Sequence, residues 1–159
     1  MKVNKTNAAR LLDKEKITYR LVPYEVDEND LSATHVAKQL GENVDQVFKT
    51  LILHGDKNGY FVCVIPGADE LDLKKAAKES GNKNCTMIPV KELLPLTGYI
   101  RGGCSPIGMK KLFPTYIHHT AEEYDCIYVS AGQRGLQLAL SPKDLIQETK
   151  AKVSDLIIR

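Results

Sequence analysis

A chain of 159 residues with 43% hydrophobic and 26% charged side chains has the composition of an ordinary globular protein and is long enough to close a core of its own, so one domain over 1–159 is expected. A net charge of only +2 excludes the strongly basic surface of a protein that holds nucleic acid by charge alone, although the short clusters "DLKKAAK" and "GMKKLFP" leave room for an anionic partner. The first twenty residues hold no apolar run suited to a signal peptide or a membrane span, which makes the cytoplasm the expected compartment and reduced thiols the expected state of the four cysteines.

An amphipathic helix is expected over Thr6–Lys16, where Ala9, Leu12 and Ile17 recur at helical spacing. The run "TYRLVPYEV" reads as a strand that Pro23 confines to a sheet edge or a bulge. Ser32 opens a second helix as its N-cap and Gly41 closes it. A strand follows in "DQVFKTLILHG", and Asn58-Gly59 turns it back into "YFVCVIP". A third helix is expected over Leu71–Ser80, then a short strand "NCTMI", and then a short helix "PVKELLP" bracketed by prolines. After a glycine-rich loop come the strands "PTYIHHT" and "CIYVS", a turn "AGQRG", the strand "LQLAL", the helix "PKDLIQETK" and a short strand or tail in "AKVSDLI". Tight hairpins require antiparallel pairs and exclude a purely parallel doubly wound fold. The expected class is therefore α+β, a curved, mixed and mostly antiparallel sheet with helices around it.

Three segments concentrate unusual residues. In "VFKTL", strand alternation puts Val47, Lys49, Leu51 and Leu53 on one face, so an ammonium group shares its face with aliphatic side chains. Its stem could cover apolar surface while its head reaches water, or the head could look into a pocket and hold an anionic or carbonyl group. The loop "TGYIRGGCSPIG" packs four glycines into twelve positions, which suits either a bulge and turn or a close approach of backbone to a ligand. It lacks the lysine-Ser/Thr tail and following helix of a phosphate-binding P-loop. In "YVSAGQRG", Ser130 ends a strand and Arg134 sits in a turn, free for solvent or for bidentate contact with an anion.

Other candidates weigh less. No cysteines are spaced as zinc ligands, and Cys104, though it lies on a tight Gly-Cys-Ser turn, has no histidine near it in sequence to activate it. His118 and His119 are adjacent, and on a strand they would face opposite sides, which argues against a shared metal.

The order of "VFKTL", "LDLKKAAK", "TGYIRGGCSPIGMKK" and "IYVSAGQRGL", nearly end to end in the chain, resembles the YbaK/EbsC family of cysteinyl-tRNA(Pro) deacylases. The resemblance implies a single editing domain that clears cysteine mischarged onto tRNA(Pro), an error that a binding pocket alone discriminates poorly because cysteine and proline are close in size. It implies Lys49 as the essential residue. Around the substrate it implies Tyr24, Thr50, the pair Gly102 and Gly103, Ser105, Ser130 and Arg134, with no cofactor and no metal. Partners implied are the acceptor end of tRNA(Pro) and prolyl-tRNA synthetase, and no membrane; the low net charge adds the expectation that free tRNA binds weakly and salt-dependently, through a few contacts such as Lys110, Lys111 and Arg134. In this family the substrate's own thiol is thought to attack its ester. Some relatives carry an aspartate where this chain has Gln137, which leaves another small amino acid, alanine or serine, as an alternative substrate. A binding module for tRNA or the synthetase, with no activity, is the alternative of another class.

Overall fold

The computed structural model describes residues 5–159, and the elements follow the caps written into the sequence. Helix α1 (Asn7–Lys14) starts where the Thr6 hydroxyl accepts from the Ala9 N–H, and it buries Ala8, Ala9 and Leu12. After β1 (Tyr19–Pro23), α2 (Ala33–Leu40) runs from Ser32, whose hydroxyl accepts from His35 N–H, to Gly41 in the left-handed region. Such a cap side chain is worth about 1 kcal/mol. The hairpin of β2 (Phe48–Gly55) and β3 (Gly59–Pro66) follows, then α3 (Leu73–Glu79), capped by the Asp72 carboxylate, and β4 (Cys85–Met87). Helix α4 (Val90–Thr97) precedes the glycine-rich loop and β5 (Thr115–His118). The chain ends with the hairpin of β6 (Ile127–Gln133) and β7 (Leu136–Leu140), then α5 (Pro142–Thr149) and β8 (Lys152–Ser154).

The class is α+β, as expected, with one difference in architecture. The strands form two sheets, a three-stranded one in the order β1-β7-β6 and a five-stranded one in the order β4-β2-β3-β5-β8. They meet at a single parallel bridge, Val47 to Tyr128. Four strand pairs are antiparallel, while β5 lies parallel to both β3 and β8. Strand β1 occupies a sheet edge, where Pro23 opposes Leu136 and needs no ladder donor. Helix α4 corrects another expectation, since it continues through Pro95 to Thr97. The missing proline N–H falls in the last turns, where the Thr97 hydroxyl donates to Leu93 C=O (2.7 Å) and Gly98 N–H to Leu94 C=O (2.9 Å).

The two faces of β2 feed different cores. Phe48 and Ile52 enter the main core with Leu12, Val64, Ile117 and Leu138, between the two sheets and α1. Leu51 and Leu53 belong to a second core under α3 with Phe61, Ile65 and Ala76. The cysteines Cys63 and Cys85 sit in that second core as small apolar side chains, and all four cysteines are free thiols.

Two lysines take positive φ, Lys16 and Lys150, both at 58°. Each follows a helix, and the next residue closes the end: Ile17 N–H donates to Leu12 C=O and Ala151 N–H to Ile146 C=O. Glycine is the usual occupant of that position. Replacing Lys150 by glycine is expected to relieve backbone strain and to stabilise the protein by about 0.5–1 kcal/mol, read as a rise in Tm of about 1–4 °C. A fall in Tm would contradict the strain argument.

Candidate active site

Strand β2 is paired with β4 only at Leu53–Gly55, and at its other end Val47 bridges to β6. Between these points, at residues 49–51, its outer edge has no partner strand. Ile88 N–H donates to Ile52 C=O on that side (3.1 Å), and since peptide directions alternate along a strand, those of Thr50 turn the same way. A cavity of about 380 Å³ opens beside this edge. Its walls come from β2, from the segment 31–36 entering α2, from the start of α4, and from the glycine-rich loop with the β6–β7 hairpin behind it.

Lys49, Thr50, Gly102 and Ser130, all singled out in the sequence, are brought together in this lining. Among the described residues the Lys49 ammonium makes no hydrogen bond or ion pair. Burial pushes its ammonium below the ordinary value, and the charges of Asp69 and Glu70 offset that only in part. Among the described residues, Arg101 is the other charged group of the lining, and no carboxylate lines the cavity. Ser130 accepts from Gly132 N–H at 3.1 Å and keeps its own proton to donate. Gln137 lies opposite Ser130 in the hairpin register and also lines the cavity.

The remaining expected residues lie outside the lining. Gly103 N–H donates to Ile100 C=O (2.9 Å) in a turn, so that amide is already used. A Cβ at Gly103 would lie 3.0 Å from the Cα of Gln133, so the pair serves the close approach of loop and hairpin. Ser105 is fully buried, its hydroxyl accepting from Ile107 N–H within the same loop. Tyr24 packs with Val36, Val47 and Tyr128 next to the lining rather than in it, and its N–H donates to Gly135 C=O. Arg134 is not free: its Nε donates to Arg101 C=O (2.8 Å) and its guanidinium pairs with Glu28, tying the segment before α2 to the glycine-rich loop. It holds the cavity's two flanking loops together.

Sequence reasoning did not find the apolar wall. Leu31, Ile88, Pro89 and Leu93 line the cavity, with the more exposed Met87 and Val90 at its rim. Such residues look like core positions in a sequence, and only the fold shows that the core is open here. Cys104 also lines the cavity, but burial pushes its thiol up to about 12, leaving it protonated at neutral pH.

The two histidines behave differently from the expectation for a strand. β5 stops at His118 and a 3-10 turn starts at His119, so strand alternation ends there and the rings lie 4.3 Å apart, beside Asp155. Part of their donor set is committed, while His118 Nε2 and Asp155 Oδ1 are buried without a hydrogen-bond partner among the described residues. His118 Nδ1 accepts from Leu156 N–H (3.2 Å), His119 Nε2 meets Arg159 (3.2 Å), and Asp155 pairs with Lys75 (3.0 Å) and Arg159 (3.4 Å). Burial, helped by His119 and Arg159 and opposed by Asp155 and Asp69, pushes His118 below the ordinary 6.5. Neutral His118 therefore contributes stability that is fully present above pH 6.5, the ordinary value it regains on unfolding, and is lost as pH falls towards its lower folded value. The Tm is expected to drop between pH 7.5 and 5, and to drop less in His118→Gln; equal slopes would remove His118 as the source.

A model of the aminoacyl-tRNA editing domain matches residues 27–148, and the chain belongs to that family. It is 49% identical over 152 residues, 96% of this chain and 93% of the other, to an Enterococcus faecalis protein named "Putative Cys-tRNA(Pro)/Cys-tRNA(Cys) deacylase EbsC". Over 62% of this chain, and only 17% of the other, it is 29% identical to a proline--tRNA ligase of Shouchella clausii. A crystal structure of "a putative trans-editing enzyme for prolyl tRNA synthetase" superimposes with a TM-score of 0.82 at 25% identity, covering 98% of this chain and 100% of the other. Among the described residues, no helix is long and apolar enough to cross a membrane.

Proposed function

We propose that this protein is a trans-editing deacylase that removes cysteine from mischarged tRNA(Pro) in the cytoplasm. The observation that carries the reading is Lys49, a partly desolvated ammonium group that has no partner among the described residues, on a largely apolar cavity wall with no described carboxylate. An aminoacyl ester joined to the last nucleotide of a tRNA has the chemistry to fill that cavity. Its carbonyl and the neighbouring phosphate offer electron-rich oxygens to Lys49, and its small side chain suits the apolar wall. The cavity volume suits one aminoacyl group and part of a nucleoside better than a whole RNA end, which would lie outside it, near Arg101.

Among the described residues, the lining contains no histidine and no carboxylate to activate a protein nucleophile. The step then falls to the substrate. Its thiol loses a proton, the sulfur forms a bond to the ester carbonyl carbon, and the ribose oxygen leaves and takes up a proton, releasing a four-membered thiolactone and free tRNA. Thiol and carbonyl belong to one cysteinyl group, so the attack is intramolecular, and the cavity favours it by holding the two in reactive orientation. Lys49 steadies the negative charge that develops on the carbonyl oxygen. The similarity to a segment of a proline--tRNA ligase supports prolyl-tRNA synthetase as the source of the substrate and as a partner.

The test is a deacylation panel of tRNA(Pro) charged with Cys, Ala, Ser and Pro. Rapid release of cysteine and slow release of the other three is the expected result. Preference for alanine or serine would reassign the substrate, and no release from any of the four would leave a binding module.

A further inference from the structure

Two buried polar atoms at this cavity have no hydrogen-bond partner, Thr50 Oγ1 and Gln137 Oε1. Gln137 is on β7 and only 5% exposed; Thr50 is on the unpaired stretch of β2. Buried polar atoms are nearly always satisfied in native proteins, so two orphans beside one cavity point to a ligand group that completes them. The pair can describe that group. An amide oxygen only accepts, so the group must carry a donor; a hydroxyl both donates and accepts, so the group may offer either. The charged residues of the lining, Lys49 and Arg101, add a further condition. A cationic donor would meet two positive charges in the lining, while Asp69 and Glu70, whose charges act on Lys49, lie outside it.

We infer that Gln137 and Thr50 recognise the α-amino group of the aminoacyl ester and hold it as the uncharged amine. A neutral amine has two N–H donors and one lone pair. One N–H goes to Gln137 Oε1, and the Thr50 hydroxyl takes the other or gives its proton to the lone pair. An α-amino group titrates at about 7.7–8.0 in peptides, so a modest downward push by the lysine and arginine leaves it neutral at pH 7. The same positive lining favours the thiolate over the thiol, which is the form that attacks. A carboxylate at position 137 would work against both. The amide there thus suits a substrate that must arrive deprotonated, and this conclusion rests on the deacylase reading above.

The test compares cysteinyl-tRNA(Pro) with 3-mercaptopropionyl-tRNA(Pro), which keeps the thiol and the ester and lacks only the amine. The wild type is expected to cleave the des-amino ester about ten- to a hundredfold more slowly, the loss that follows when buried partners are left unpaired. Gln137→Leu should lose a similar factor on the cysteinyl ester and little on the des-amino ester. Thr50→Val, with the same shape and no hydroxyl, should show the same substrate-dependent pattern and serves if Gln137→Leu fails to fold. In Gln137→Glu the acidic limb of the kcat/KM profile should move to higher pH. Equal rates on the two esters in the wild type would overturn the recognition, and an unmoved limb in Gln137→Glu would overturn the uncharged amine. Failure of the wild type to cleave either ester would instead overturn the deacylase reading, and this inference with it.

Discussion

Lys49→Ala is expected to lower the single-turnover rate of cysteine release by about a hundred- to a thousandfold, the scale seen when one group that stabilises a developing oxyanion is removed. Its fold should survive. The ammonium makes no hydrogen bond or ion pair among the described residues, and burial pushes it below its ordinary value, so its charge is carried into the protein at a cost. Lys49→Met keeps the stem between Val47 and Leu51 and removes only the charge. It should melt no lower than the wild type while being as inactive as the alanine variant. Lys49→Arg is the sharper control, because it restores charge with a planar, bulkier head in place of a compact ammonium, and partial activity at most is expected. Near-normal turnover in a folded Lys49→Ala or Lys49→Met protein would remove Lys49 from the chemistry.

The parts of the fold that were legible in the sequence are those set by local chemistry. Thr6, Ser32 and Gly41 stand where cap geometry needs them, and Pro23 falls on an edge strand. The alternation around Lys49 survives as the division of β2 between two cores. What was not legible depends on residues far apart in the chain. A split into two sheets is set by where β6 leaves β2 after the Val47–Tyr128 bridge, and no local pattern encodes that departure. The helix past Pro95 and the paired rings of His118 and His119 both reflect element ends displaced by one turn or less. In the site, the residues carrying unusual chemistry in an apolar setting, Lys49, Thr50 and Ser130, do line the cavity. Arg134 looked like a free cation because its partner, Glu28, is 106 residues away. Glycines signal close approach without saying to what; Gly103 approaches the hairpin backbone.

The source of the nucleophile separates this protein from a cysteine hydrolase, and two experiments decide it together. Cys104 is the only one of the four thiols in the cavity lining, and burial pushes it up to about 12. At pH 7 such a thiol is ionised about one time in 10⁵, whereas an ordinary free thiol is thiolate at the level of a few per cent. A variant with Cys63, Cys85, Cys104 and Cys126 all replaced by alanine or serine should therefore release cysteine at close to the wild-type rate. It should also melt lower, because Cys63 is fully buried and its replacement costs about 1 kcal/mol or more in packing, so the rate must be read well below its Tm. In the second arm the substrate loses its thiol instead. Seryl-tRNA(Pro) differs by one atom, and its hydroxyl ionises so much less readily that release should slow by about a thousandfold or more. Retained activity without protein cysteines, joined to loss without the substrate's, places the attacking sulfur on the substrate. If Cys104→Ala alone stops turnover while seryl- and cysteinyl-tRNA are cleaved equally fast, the attacking sulfur belongs to the protein, and the burial of Cys104 must then be relieved when the substrate binds.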